Sequence, residues 1–166
     1  MKVTHTFEPI YNEQSKILIL GTFPSVKSRE SAFYYGHPQN RFWKVLARLT
    51  GEAVPETVEE KKSLLLAHGI AIWDVIRSCE IEGSSDSSIK DVVPNDIAGL
   101  LAGSQIQEIY GNGDKACQLY HRFCEESSGK KIIKLPSTSP ANAAFSLDRL
   151  TECWRAGIDV DLTKAD

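Results

Sequence analysis

Two stretches of this chain concentrate groups suited to holding a flat, polar ligand. GTFPS, Gly21 to Ser25, precedes FYYGHPQNRFW, Phe33 to Trp43, where Tyr34, Tyr35, His37, Gln39, Asn40 and Arg41 fall within eight residues. Rings can stack on a planar heterocycle while amides and carboxylates read its edge; an aromatic cluster is also an ordinary piece of core. LPSTSPANA, Leu135 to Ala143, gathers hydroxyls and small residues that let a backbone approach a partner closely. Gly111-Asn112-Gly113-Asp114 offers amides at a helix start, which can receive a phosphate or simply make a turn. Asp74, ionised, accepts hydrogen bonds without donating; it equally suits a cap at a strand exit. Neither a GxSxG elbow nor a convincing Ser, His and Asp set supports a nucleophilic hydrolase.

These residues need elements to position them. Four apolar runs rich in β-branched residues read as strands: Lys16 to Leu20, Gly69 to Trp73, Ile106 to Tyr110 and Lys131 to Leu135. Between them, Phe42, Val45, Leu46 and Leu49 share one helical face, as do Ala116, Leu119, Tyr120 and Phe123. Thr57 followed by Glu60 forms a capping box opening a helix that should stop near Gly69. Strand alternating with helix predicts right-handed crossovers and an α/β fold, a three-layer αβα sandwich with a central four-stranded parallel sheet. Ligands of such sheets bind beyond the carboxyl ends of the strands. The segments there are 21–40, 74–90, 111–115 and 136–144, which hold nearly every unusual local sequence. The polar run Glu82 to Lys90 reads as a flexible surface loop within a single domain, residues 1–166.

The 166 residues are 42% apolar, enough for one core, and a net charge of −3 argues against a broadly basic nucleic-acid-binding face while leaving room for one local groove. No apolar run is long enough for a membrane span and the N-terminus lacks the core of a signal peptide, so a cytoplasmic, monomeric protein is expected. Cys79, Cys117, Cys124 and Cys153 form no CxxC pair and have no histidine at zinc spacing, and they read as buried thiols without a metal. His5, His68 and His121 likewise show no ligand spacing.

Read together, GTFPS and YYGHPQNRFWKVL resemble the first motif of the mismatch-specific uracil/thymine glycosylases within the uracil-DNA glycosylase superfamily. There a Gly-x-x-Pro turn is followed by an aromatic and then His-Pro-x-Asn-Arg-Phe-Trp. LPSTSPANA resembles the Pro-Ser-rich loop with which that superfamily enters the DNA minor groove. One departure is informative: uracil-excising members carry Asn or Asp just after the first Gly, where it holds the attacking water, and this chain has Thr22. Thr22 can orient water only weakly. With that change, GTFPS plus HPQNRFW is similar to the hypoxanthine-DNA (deoxyinosine) glycosylase branch, whose implicated residue corresponds to Asn40.

The resemblance implies an enzyme that hydrolyses the N-glycosidic bond of a flipped base in damaged DNA, without a cofactor. Catalysis would fall to Asn40, with Thr22 beside it; an Asn just before an apolar-periodic helix is also a preferred cap. Base binding would fall to Tyr35 as stacking ring, with Phe23, Asp74 and His37. Asp74 stands where relatives place a base-reading Asn, and an acceptor suits the N1–H of hypoxanthine. His37 reads as structural or phosphate-facing, or as polarising the leaving purine. DNA contacts would come from Ser25, Asn112, Ser137, Thr138, Ser139, Pro140, Ala141 and Asn142. Some members hold an iron–sulfur cluster on cysteines that include an N-terminal pair, and here none is expected because the first cysteine is Cys79. A uracil/thymine mismatch glycosylase and a non-catalytic nucleic-acid-binding module of the same fold are the alternatives.

Overall fold

The structure is a computed structural model that describes residues 2–5, 8–31 and 33–164. Its first two strands are β1 (Lys2–Thr4) and β2 (Ile17–Gly21), and α1 (Val26–Ser31), α2 (Phe42–Thr50) and α3 (Val58–Ala67) follow. The chain then forms β3 (Ile70–Asp74), β4 (Ile76–Glu80), a 3₁₀ turn at Asp86–Ser88 and β5 (Lys90–Pro94). It ends with α4 (Ile97–Ala102), β6 (Glu108–Asn112), α5 (Asp114–Phe123), α6 (Glu125–Ser128), β7 (Ile132–Leu135) and α7 (Leu147–Gly157).

β3, β2, β6 and β7 pair in that order, all parallel, and form the expected central sheet. Every residue of β2 is buried because helices or strands cover both faces. On one face Ile17, Ile19, Ile70, Ile72 and Tyr110 pack against α2, α3 and α7 through Phe42, Leu46, Leu65, Leu150 and Trp154. On the other, Leu18, Leu20, Ala71 and Ile109 pack against α4, α5 and β4. Each fully buried Ile, Leu or Phe side chain among them contributes about 1.5–3 kcal/mol. The capping box is complete: the Thr57 hydroxyl accepts from Glu60 N while the Glu60 carboxylate accepts from Thr57 N, and α3 stops just before Gly69, whose φ is +70°.

The segment after β3 departs from the sequence reading. In the segment 74–90, where no strand was expected and Glu82 to Lys90 read as a surface loop, the chain turns at Val75 straight into β4, the middle strand of an antiparallel sheet ordered β1-β4-β5. Val75 N and Ile76 N donate to Gly21 O and Thr22 O, while the buried Asn95 amide donates to Asp74 O and Ile76 O. These bonds pin the bend that ends the parallel sheet at Asp74. Residues 82–85 fold against α1, with Val26 N donating to the Ser84 hydroxyl and Arg29 to Gly83 O.

Candidate active site

A cavity of ≈ 350 Å³ opens at the carboxyl edge of the parallel sheet, and both sequence motifs border it. Gly21, Thr22, Phe23, Pro24 and Ser25 leave β2; Tyr35, His37 and Asn40 precede α2; Asp74 ends β3; Asn112 ends β6; Ser139, Pro140 and Ala141 follow β7. Its volume lies within the range of small-ligand sites.

Asn40 is fixed through its oxygen. Oδ1 accepts from Phe42 N at 2.9 Å and from the Thr138 hydroxyl at 2.8 Å. A backbone amide can only donate, so the oxygen is assigned without ambiguity. Thr138 in turn accepts on Oγ1 from Asn112 Nδ2 at 3.0 Å, and its N–H donates to Asn112 Oδ1 at 3.0 Å. The Asn40 oxygen therefore binds the first amide of α2 from one residue outside the cap position, which Arg41 and not Asn40 occupies, and is simultaneously tied to the ends of β6 and β7. Nδ2 of Asn40 has no protein partner among the described residues, so the group left for the cavity is a donor.

This network changes the expected place of two residues. Thr138, expected against DNA, is fully buried, and its N–H, O–H and C=O are all committed, the last to Arg41 N. Asn112 likewise spends both ends of its amide on Thr138. They position Asn40 rather than reach a phosphate.

Arg41 holds the second loop from within. Its guanidinium donates to the carbonyls of Phe145, Ser139 (2.9 Å) and Asn142 (3.0 Å). Trp154 Nε1 donates to Pro136 O at 2.8 Å from the other side. Within the loop, the Ser137 and Ser139 hydroxyls accept from Ser139 N and Ala141 N, and Asn142 Nδ2 donates to Ser137 O. Pro140 and Ala141 stand at the tip beside the cavity, and Ala141 is exposed. Gly113, at φ +95°, lies so close beneath the loop that an added Cβ would sit 3.1 Å from Ser137 Cβ.

On the opposite wall, Asp74 is 4% exposed and accepts from His5 Nε2 at 2.8 Å. Gly21 leaves room for this carboxylate: a Cβ there would meet Asp74 Oδ1 at 2.3 Å and Tyr35 Oη at 3.0 Å. Tyr35 takes a left-handed backbone, φ +52°, a rare state for an aromatic residue. One face of its ring stacks on Phe42 with centroids 3.8 Å apart, so only the other face remains for a base. Its hydroxyl is buried without a hydrogen-bond partner among the described residues. Burial and then the Asp74 charge push the Tyr35 phenol well above its ordinary range, with the nearby Asn112 amide working the other way. Burial, then Asp74, does the same to Tyr34, whose hydroxyl donates to Glu8 O.

Phe23 borders the cavity edge-on to the His5 ring at 6.0 Å and beneath the Arg29 guanidinium. Ser25 caps α1, accepting from Ser28 N and donating to Ser28 Oγ. His37 Nδ1 accepts from Gln39 N, which leaves Nε2–H as the donor of the neutral ring. No cluster of three or more His, Cys, Asp or Glu side chains suited to a metal occurs among the described residues.

The sequence reading missed His5, which reaches the site from β1 across 69 positions, and the structural role of Arg41. His5 carried no local signal. Arg41 had one, standing inside the motif next to Asn40.

Known proteins bear on this geometry. Residues 8–156 match the uracil DNA glycosylase superfamily. A protein of Methanosarcina acetivorans named hypoxanthine DNA glycosylase is 38% identical over 152 residues, spanning 90% of this chain and 94% of its own. Another of that name, from Methanosarcina barkeri, is 37% identical over 66% of this chain and 71% of its own. The solution NMR structure of a Methanosarcina acetivorans protein described as a uracil DNA glycosylase superposes with a TM-score of 0.77 at 37% identity, covering 90% of this chain and 92% of that one. With the parallel sheet, the two motifs and the cavity between them in place, these matches show that the chain belongs to the uracil DNA glycosylase superfamily.

Proposed function

We propose that this protein is a monofunctional DNA glycosylase that excises hypoxanthine, acting as a cytoplasmic monomer on a base flipped from the duplex. The observation that carries the reading is the Asn40 amide, held at the cavity wall by Phe42 N and Thr138 with its N–H left over. The names of the two Methanosarcina relatives support the substrate.

Breaking an N-glycosidic bond leaves cationic character on the sugar and negative charge on the departing purine. Asn40 Nδ2 is suited to the departing purine, as a preorganised donor that bonds the base while its charge builds, or else holds the incoming water by its oxygen. It cannot act as a base, because both acceptor sites of its oxygen are occupied. Thr22 contributes a hydroxyl to the same cavity and no charge. Asp74 presents an acceptor to the N1–H of hypoxanthine and a repulsive one to the bare N1 of adenine. Tyr35 offers its free ring face, Phe23 closes one side, and His37 has an N–H for O6, N7 or a phosphate. Pro140, Ala141 and the backbone of 137–142 enter the groove, with Ser137, Ser139 and Asn142 near the flanking phosphates and Ser25 beside them.

The test incubates the protein with duplexes carrying hypoxanthine, uracil or xanthine and scores abasic sites by alkaline strand cleavage. Hypoxanthine should be released fastest. Release from none of the three would defeat the enzyme reading. Thr22 motivates the uracil alternative, which a Thr22→Asn variant addresses: it should gain uracil excision if position 22 is where relatives hold water.

A further inference from the structure

We propose that His5 is a positioning residue for substrate selection, holding the Asp74 carboxylate in one orientation as an acceptor for the base edge. The inference rests on the glycosylase reading above and extends it to a residue outside both motifs.

The geometry is specific. β1 pairs with β4 through Val3 opposite Cys79 and Thr4 opposite Ser78, and His5 N continues the ladder by donating to Arg77 O. The imidazole is thereby carried across the bend at Val75 to the end of the parallel sheet. Its side chain is 2% exposed and that of Asp74 5%, with Nε2 to Oδ2 at 2.8 Å. The ring is boxed by Phe23 and Tyr34, with centroids 6.0 and 5.8 Å away. Because a carboxylate has no proton of its own, Nε2–H is the donor in this contact whatever the charge on the ring.

The contact engages Oδ2 and leaves Oδ1 against Gly21, where the missing side chain makes the space. The carboxylate is thus wedged between His5 and Gly21 as a fixed acceptor. Hypoxanthine offers N1–H to such a group, whereas adenine offers a lone pair. A freely rotating Asp74 would lose that distinction.

The experiment is single-turnover release from a hypoxanthine duplex over a range of enzyme concentrations. It compares wild type, His5→Ala, His5→Gln, Asp74→Asn and the double variant His5→Ala/Asp74→Asn, with binding to an abasic duplex as the check on fold. His5→Ala should lower the maximal rate roughly ten- to a hundredfold with little change in the half-saturating concentration. His5→Gln, whose Nε2 can donate in place of the imidazole, should recover to within about threefold of wild type, and the double variant should be no slower than Asp74→Asn, as expected when one residue acts through the other. A wild-type rate in His5→Ala overturns the proposal, as does a double variant whose loss is the product of the two single losses. If His5→Ala cannot bind the abasic duplex, the decision passes to His5→Gln and the Asp74→Asn background, where no charged carboxylate is stranded. A wild-type protein inactive on hypoxanthine but active on uracil defeats the substrate reading and this proposal together; one active on hypoxanthine but indifferent to His5 defeats this proposal alone.

Discussion

On one wall of the cavity Asn40 is held by a web of neutral hydrogen bonds that runs through Thr138 to Asn112; on the other, Asp74 is held through its contact with His5. The web gathers the ends of α2, β6 and β7, so that each bond adds a modest increment, about 0.5–1.5 kcal/mol, and their sum fixes one amide. The His5 contact places a donor on a buried carboxylate, and stripping a partner from a buried charge costs about 3–5 kcal/mol. A side chain that must donate can be held in a shared neutral network. A buried carboxylate that must accept needs a donor held in place, which here is drawn from the residue after β1.

The sharpest way to break the first wall is Asn40→Ala. It removes the free N–H and also strands Phe42 N and the Thr138 hydroxyl, so single-turnover release of hypoxanthine should fall about 10²–10³-fold, the usual cost of losing a preorganised donor. Binding to an abasic duplex should survive, because Arg41 and Trp154 still hold the loop. Release at the wild-type rate would remove Asn40 from the mechanism. Next in size is Arg41→Ala, which leaves three loop carbonyls without their donor. Urea denaturation should show a loss of about 2–4 kcal/mol and anisotropy a weaker grip on DNA. Arg41→Lys should recover only part, since one ammonium cannot serve three carbonyls fixed by a planar fork.

The same contrast explains what could be read in advance. KILIL and GIAIW announced β2 and β3 because strands buried on both faces need unbroken apolar runs, whereas KIIKL, the edge strand β7 with Ile133 and Lys134 exposed, was legible from its paired isoleucines. Asn40 stood out because its amide, the start of α2 and its neighbouring Arg41 share one short segment. The antiparallel sheet left no such trace: KVT is three residues long, IRSCE carries charges, and KDVVP ends in proline. Its register shifts against β4 further blur any alternation. α7, for which no helix was expected, carries its signal in Leu147, Leu150 and Trp154 behind a Ser146 cap. The pairing of His5 with Asp74 was invisible because it depends on a sheet the sequence did not declare.

The second wall can be probed more gently through Gly21→Ala. The new methyl carbon would sit 2.3 Å from Asp74 Oδ1, so the carboxylate must swing away from its place under His5. Overpacking of this kind costs about 1–3 kcal/mol. Hypoxanthine release should fall about tenfold while abasic-duplex binding stays near wild type, since nothing in the loop is touched. An unchanged rate would mean that the position of Asp74 does not matter.

The smallest effect is expected from Tyr35→Phe, which separates the ring from its hydroxyl. The hydroxyl is buried without a partner among the described residues, so removing it should stabilise the fold by up to about 1 kcal/mol while the stack on Phe42 is kept. Excision should stay within about threefold of wild type if the ring alone serves the base. A drop of tenfold or more, with the stability gain intact, would instead place the hydroxyl on the base edge beside Asp74. Alkaline unfolding gives an independent reading of the same atom. Burial and Asp74 raise the phenol above its ordinary 10.0 in the folded state, so the stability held by the neutral hydroxyl is complete below pH 10 and is lost as pH rises beyond it. Tyr35→Phe should therefore lose less stability than wild type between about pH 10 and 11, and equal losses would mean that this hydroxyl is not held in its neutral form by its burial beside Asp74.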